Sequence, residues 1–239
     1  MSEITVDFTF RFDDDTAAEP LHHGLSLIHE GRYVEARKYL NAQNIDLPLE
    51  NESAMWWLER YHREDHFLIG YLMGGTITFD EDRFLEAVSD SGASHILANI
   101  ENTQVGKGYT FARRNGRTCK SATVLADFAK ENPTIALGVA IDKGKKKDAL
   151  AALEAGANPN GIFNGSFLLP LAISEGQTAV AEALLAAGAD PNGTMASKAR
   201  KSQPGEETAL QLAVMREKSK LVRELLDAGA DPNKVDGLG

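Results

Sequence analysis

Gly156-Ala-Asn-Pro-Asn160, Gly188-Ala-Asp-Pro-Asn192 and Gly229-Ala-Asp-Pro-Asn233 are three copies of one phrase, and they decide the fold of the second half of the chain. Each follows an Ala/Leu-rich stretch. Sixteen residues before each Gly an Ala lies inside an apolar run, at Ala140, Ala172 and Ala213. Equal offsets in three copies mark a repeated supersecondary unit, and chains that repeat one every ~20–50 residues form stacked arrays.

The third copy shows the physics of one unit. Thr208-Ala-Leu-Gln-Leu-Ala213 opens a helix with Thr at the N-cap, where the hydroxyl takes an orphan backbone N–H. A turn near Lys218 and Ser219 reverses the chain. A second helix places Leu221, Val222, Leu225 and Leu226 on one stripe. Gly229 follows as the C′ residue, and Asp231-Pro232-Asn233 leaves in an extended turn because Pro keeps its predecessor out of helix. One such hairpin cannot bury its stripe alone, so neighbours must stack on it.

The pattern T-x-L-x-x-A, helix, turn, L-L-x-x-G-A-D-x-N resembles ankyrin repeats and covers roughly residues 133–239. The second copy runs from Phe167-Leu-Leu-Pro-Leu-Ala172 through Leu184-Leu185 to Gly188, and the first from Ile135-Ala-Leu-Gly-Val-Ala140 through Leu153 to Gly156. None has the family's His after the Leu, which helps tie neighbouring repeats, and only the third keeps the opening Thr; a looser stack is expected. The Gly-to-Gly spacings are 32 and 41, against about 33 for the family. The second interval therefore carries an insertion between Asn192 and Glu207, with Lys198, Arg200 and Lys201 giving its tip a positive charge. Insertions in such arrays map to loops on one face, often the binding face; a merely solvated loop is the open alternative. The last helix intersperses its apolar positions with Arg223, Glu224 and Asp227, as a solvent-facing cap would. What the resemblance implies is a partner bound along the turns and first helices. That places Asn160, Phe163, Asn164, Glu175, Asn192, Lys198, Arg200, Lys201, Gln211 and Arg216 in the expected contact set.

Half of the 239 residues lie outside the repeats, enough for a second folding unit. The beginning, Met1-Ser-Glu-Ile-Thr-Val-Asp7, is acidic and alternating rather than a secretory signal. No apolar stretch approaches bilayer length, and the single cysteine, Cys119, excludes an intrachain disulfide and fits a reducing compartment. A cytoplasmic protein is expected, and the Ala-rich repeats give it a bacterial look. Residues 1–100 hold 19 Asp/Glu against 7 Lys/Arg, while the whole chain carries −10. Such acidity disfavours nucleic acid and anionic membranes. It either attracts a basic partner or simply keeps the protein soluble.

Within the first half, Ile4, Val6, Phe8, Phe10 and Phe12 alternate as one face of a strand. Residues 17–50 resemble a single tetratricopeptide repeat, with Gly24, Ala36, Leu40 and Pro48 at that family's mutual spacings. Residues 52–68 are expected to be a helix, Tyr71–Phe79 a strand, and Asp82–Val88 a helix closed by Ser91-Gly92. His95–Ile100 and Tyr109–Arg113 are expected to pair around Gly106-Lys107-Gly108, and Ser121–Lys130 to form a helix ended by Asn132-Pro133. The expected architecture is mainly α: an acidic α+β unit over 1–132 followed by about three ankyrin repeats over 133–239.

No constellation assembles an active site. His62 and His66, four apart on the expected helix, could share a face toward a metal, but neither metalloprotease signature is met and exposed histidines among charges account for them. Gly106-Lys107-Gly108 lacks the rest of a phosphate loop. Cys119 sits beside Arg117 and Lys120 without a His–carboxylate partner, and Arg113, Arg114 and Arg117 either clamp an anion or pair with the abundant acids. No cofactor and no metal are expected. The reading is a non-enzymatic protein-interaction module, in the bacterial setting an immunity protein that binds and neutralises a cognate toxin. The alternative is an enzyme or secreted effector with chemistry in 51–132 and substrate recruitment by the repeats.

Overall fold

The computed structural model describes residues 3–48, 56–75, 80–102, 107–196 and 206–234. The chain divides into two compact units, Met1–Ala126 and Asp127–Gly239.

The first unit is organised by the phenylalanine alternation. Strand β1 (Glu3–Arg11) lies inside a six-stranded antiparallel sheet of order β2-β3-β1-β4-β5-β6. Its neighbours are β3 (Phe67–Gly75) and β4 (His95–Asn102), flanked by β2 (Trp56–Glu64), β5 (Lys107–Arg114) and the short β6 (Arg117–Thr118). On one face Ile4, Val6, Phe8, Phe10 and Phe12 are buried with Leu68, Leu72, Ile96, Ala98 and Ile100. The Phe8 and Phe10 rings stack at 4.4 Å, and Phe84 meets them at 6.0 and 6.1 Å. Phe84 comes from α3 (Glu81–Asp90), whose N-cap Asp80 accepts the Arg83 N–H at 2.9 Å. Helix α1 (Asp15–His29) is capped by Asp14, which accepts the Ala17 N–H at 2.8 Å. It buries Ala18, Leu21, Leu25 and Ile28 on one stripe. Helix α2 (Tyr33–Ala42) returns along it so closely that a Cβ on Gly24 would lie 2.3 Å from Leu40.

A mainly α chain is therefore corrected: the first unit is a sheet with helices on a face. The helix expected over 52–68 is instead strand β2, the turn Asp65-His66 and the start of β3; residues 52–55 lie outside the described residues. Tertiary pairing overrides helix propensity here, because β3 hydrogen-bonds β1 along its full length, from Glu3↔Gly75 to Arg11↔Phe67. The strand expected at Tyr71–Phe79 accordingly begins at Phe67, and residues 76–79 lie outside the described residues. The expected pair β4–β5 is present, with His95↔Arg114 at one end and Asn102↔Lys107 at the other. The helical hairpin expected within 17–50 is present as α1 and α2.

The boundary between units falls within α4 (Ser121–Glu131). The second unit repeats a helix pair three times: α5 (Pro133–Asp142) with α6 (Lys146–Glu154), α7 (Leu168–Ser174) with α8 (Thr178–Ala186), and α9 (Ala209–Met215) with α10 (Ser219–Asp227). Asn132 caps α5 by accepting the Ile135 N–H at 3.0 Å, with Pro133 in the first turn. Thr208 caps α9 through a complete capping box with Gln211. Each second helix ends alike. Gly156, Gly188 and Gly229 take φ of +93°, +92° and +95°, and the next residue's N–H returns to the carbonyl of Ala152, Leu184 or Leu225 at 2.9–3.1 Å. The turns between paired helices use Gly144 and Gly176 at φ +67° and +72°, whereas the third has Glu217 at +55°.

Candidate protein-binding surface

The repeated phrase builds its own turn and then reaches forward. Asn158, Asp190 and Asp231 accept the backbone N–H two residues on, from Asn160, Asn192 and Asn233, at 2.8–2.9 Å. The final Asn of the first two copies bridges repeats. Asn160 donates through Nδ2 to the Gly188 carbonyl at 3.2 Å and accepts the Asp190 N–H at 2.7 Å. Asn192 repeats this with Gly229 (3.1 Å) and Asp231 (2.8 Å). A second set of bridges runs along the helix turns. Gln177 donates to the Ile141 carbonyl at 2.5 Å, Arg216 donates to the Ser174 carbonyl, and Lys220 meets Glu182 at 2.7 Å. These bonds link repeats that lack the family's usual histidine.

Between repeats the chain makes β fingers. Strands β7 (Ile162–Phe163) and β8 (Ser166–Phe167) are joined by Asn164 and Gly165 at φ +48° and +66°, the Asn-Gly turn whose twist suits a tight hairpin. The next finger is longer. Its base pairs β9 (Thr194–Ala196) with β10 (Glu206–Thr208), in register Thr194↔Thr208. The insertion is thus rooted in a pair of antiparallel strands. Its expected contact residues Lys198, Arg200 and Lys201 lie outside the described residues.

The structure sorts the remaining expected contacts. Asn164, at the finger tip, Glu175, at the end of α7, and Arg216, at the end of α9, are exposed. Phe163 is not available: it is 8% exposed, and a Cβ on Gly138 would lie 2.4 Å from its ring, so the finger packs onto α5 through this side chain. The amides of Asn160 and Asn192 are committed to the stack, and Gln211 accepts the Thr208 N–H at 2.9 Å. Their polarity read as recognition chemistry in sequence, but it serves internal bonds. Sequence reading passed over Val214 and Met215, which are 58% and 68% exposed. The signal was present, since two apolar residues close the third first-helix.

In the first unit the candidate chemistry dissolves into local structure. His62 is on β2, 3.1 Å from Glu64, and His66 lies in the following turn, not one helical turn along a shared face. His22 Nδ1 is 2.7 Å from the Tyr61 hydroxyl, and His29 Nδ1 is 2.8 Å from the Leu58 carbonyl. Arg113 donates to the Gly116 carbonyl at 3.1 Å and to Ser89 Oγ at 2.7 Å. Arg60 is 4% exposed, its guanidinium 5.5 Å from the Tyr71 ring. Cys119 is half-buried.

Comparison with known proteins agrees with the repeat geometry. Residues 137–236 match the family model for ankyrin repeats in three copies, and a search of curated proteins finds no match. Ankyrin repeats generally bind other proteins. Among the described residues no helix is long and apolar enough to cross a membrane. The three helix pairs, their Gly turns and their fingers make the second half of this chain an ankyrin-repeat domain.

Proposed function

We propose that this protein is a non-enzymatic protein-binding module that docks its partner along the fingers and first helices of the ankyrin unit. The observation that carries this reading is the division of labour within each repeat. Asn160, Asn192, Gln177, Phe163 and Arg216 hold the stack together, while Asn164 and Glu175 stay exposed beside it. One finger is lengthened while the repeat core is kept, and loop closure entropy grows slowly enough that such an extension costs folding little. At the finer level the partner is a basic protein, a toxin or effector that binding neutralises, as a bacterial immunity protein would. The excess of 19 acids over 7 bases in residues 1–100 supports that choice.

The test begins with capture of the partner from the native host and its identification by mass spectrometry. Affinity is then compared between the intact chain and one in which residues 197–205 are replaced by a two-residue Asn-Gly turn. The shortened chain should melt as the intact one does and bind at least tenfold more weakly, about 1.4 kcal/mol. Unchanged affinity would move the contact to the first unit, where the edge strand β2 is next in rank. For the finer reading, co-expression should abolish the partner's toxicity. A partner that remains toxic when bound would remove the immunity role and leave the docking role standing.

A further inference from the structure

Four asparagines in this chain precede glycine: Asn115-Gly116, Asn160-Gly161, Asn164-Gly165 and Asn192-Gly193. Such a pair carries an internal nucleophile, because the glycine nitrogen can reach the asparagine Cγ and no Cβ shields it. The fold treats the four differently. Asn160 and Asn192 have both amide atoms held by the following repeat, Nδ2 on the Gly188 and Gly229 carbonyls and Oδ1 on the Asp190 and Asp231 N–H groups. Their glycine nitrogens are engaged as well: Gly161 donates to the Asn158 carbonyl at 3.0 Å and Gly193 to the Asp190 carbonyl at 3.1 Å. Asn115 and Asn164 lie instead at hairpin tips, between β5 and β6 and between β7 and β8. They take φ of +47° and +48°, with Gly116 and Gly165 at +75° and +66°. Asn115 uses its backbone N–H, on the Ser94 carbonyl, and Asn164 its backbone carbonyl, which accepts from Ser166. Among the described residues neither side-chain amide makes a hydrogen bond. Exposure is not what separates the two classes, since Asn160 is exposed along with Asn115 and Asn164.

We infer that Asn115 and Asn164 are sites of spontaneous backbone modification, where each hairpin tip converts to aspartate and isoaspartate. The glycine nitrogen attacks Cγ and forms an N–Cγ bond. The Cγ–Nδ2 bond breaks, and ammonia leaves with the proton that the glycine nitrogen gives up. Water then opens the five-membered imide. Addition at the former side-chain carbonyl yields aspartate. Addition at the main-chain carbonyl yields isoaspartate, in which the chain runs through the side-chain methylene. Water is the only co-reactant and nothing is oxidised. At neutral pH each event replaces a neutral amide by a carboxylate. Isoaspartate also adds a backbone carbon to a two-residue turn whose geometry fits the strand twist. At Asn164 that lengthening falls one residue from Phe163, whose ring packs on Gly138, so the first finger changes in charge and in seating together. Asn160 and Asn192 react only after the stack opens locally, because their reacting groups are tied to it.

The full-length chain is aged at neutral and at mildly alkaline pH, folded in buffer and unfolded in urea, and sampled over days. Each sample is digested in acid, which halts the reaction. The four sites are then followed by mass spectrometry with fragmentation that separates isoaspartate from aspartate. In the folded chain residues 115 and 164 should convert at least about tenfold faster than 160 and 192, the ratio that about 1.4 kcal/mol of local opening imposes. In urea the four should convert at comparable rates. Each rate should rise with pH, since the attacking nitrogen must lose its proton. In water enriched in heavy oxygen, each product should carry one solvent oxygen. Equal rates at the four sites of the folded chain would overturn the proposal, as would faster conversion at Asn160 or Asn192. So would a folded chain in which no site converts while the unfolded chain does, since the hairpin tips would then be protected by their own turns.

Discussion

An asparagine amide presents a donor and an acceptor on one plane, and Asn160 and Asn192 use both on the backbone of the following repeat. Each spans a carbonyl and an N–H of the turn that follows the next repeat's second helix. Asn233 has the same sequence environment but no following turn among the described residues. The pair makes a controlled comparison. A net hydrogen bond contributes about 0.5–1.5 kcal/mol, so Asn192→Ala, losing two bonds between repeats, should destabilise the chain by about 1–2 kcal/mol. Asn233→Ala should change it by less than about 0.5 kcal/mol, as exposed substitutions usually do. Urea melts of the two variants check this, and equal losses would mean that the amide bonds do not couple the repeats. The expectation of a looser stack followed from a missing histidine. The bridging bonds of Asn160, Asn192, Gln177 and Arg216 supply inter-repeat contacts in its place.

Elements of this chain differ in how far their residues announce them. In each second helix the inward residue is the first of the aligned pair: Leu184 and Leu225 are fully buried, whereas Leu185 is half-buried and Leu226 43% exposed. Leu184→Ala should therefore cost about 2–5 kcal/mol by transfer and cavity formation, and Leu226→Ala less than about 1 kcal/mol. Reversed losses in denaturant unfolding would contradict the packing order. The repeats were legible because spacing, caps and glycine turns all agree, down to Thr208 and Gly229. Strand β2 was not, because Trp56–Glu64 mixes charges with aromatics in no clean two-residue period, and a register shift between Leu58 and Arg60 breaks the alternation. Its state is set by pairing with β3, information that lies elsewhere in the chain. Among the candidate contacts, exposure at Asn164, Glu175 and Arg216 was legible. The structural use of Phe163 was not, because the matching gap at Gly138 lies 25 residues away.

Helix α1 and strand β2 also share a titratable contact. Burial, then the nearby Arg63 guanidinium and His23, hold His22 below its ordinary value of 6.5, with Glu19 opposing. Burial raises the Tyr61 hydroxyl well above its usual range, so the phenol keeps its proton beside His22 Nδ1, 2.7 Å away. A folded-state value below the unfolded one means that the unfolded chain binds more protons as acidity rises. This contribution is complete above about pH 6.5 and is lost as pH falls through the lowered folded value. His22→Gln keeps a hydrogen-bonding group without titrating. Its stability relative to the native chain should improve between about pH 7 and pH 5, read as the difference of two urea midpoints. A difference independent of pH would show that His22 titrates alike in both states.

At the scale of the whole molecule, charge is the property most unevenly distributed. Residues 1–100 hold 19 acids and 7 bases. Several bases are engaged locally: Arg32 with Glu30 and Glu35, Arg63 with Glu19 and Asp15, Arg83 with Asp46. Exposed pairs of this kind contribute little to stability, but each cancels part of the local field. What is left includes exposed Asp82, Glu86 and Asp90, four residues apart along α3. A field of one sign accelerates encounter with a partner of the other and is screened over about 8 Å at physiological ionic strength. If the partner is basic, its association rate should fall steeply as salt rises from about 0.01 M to about 0.15 M, while dissociation, governed by short-range packing, changes much less. Replacing Asp82, Glu86 and Asp90 by Asn, Gln and Asn should lower the association rate at low salt and flatten that dependence, leaving the melting curve nearly unchanged. Stopped-flow measurement against the captured partner decides the matter. Association rates flat across that salt range would remove electrostatic steering and leave recognition to the contacts of the ankyrin unit.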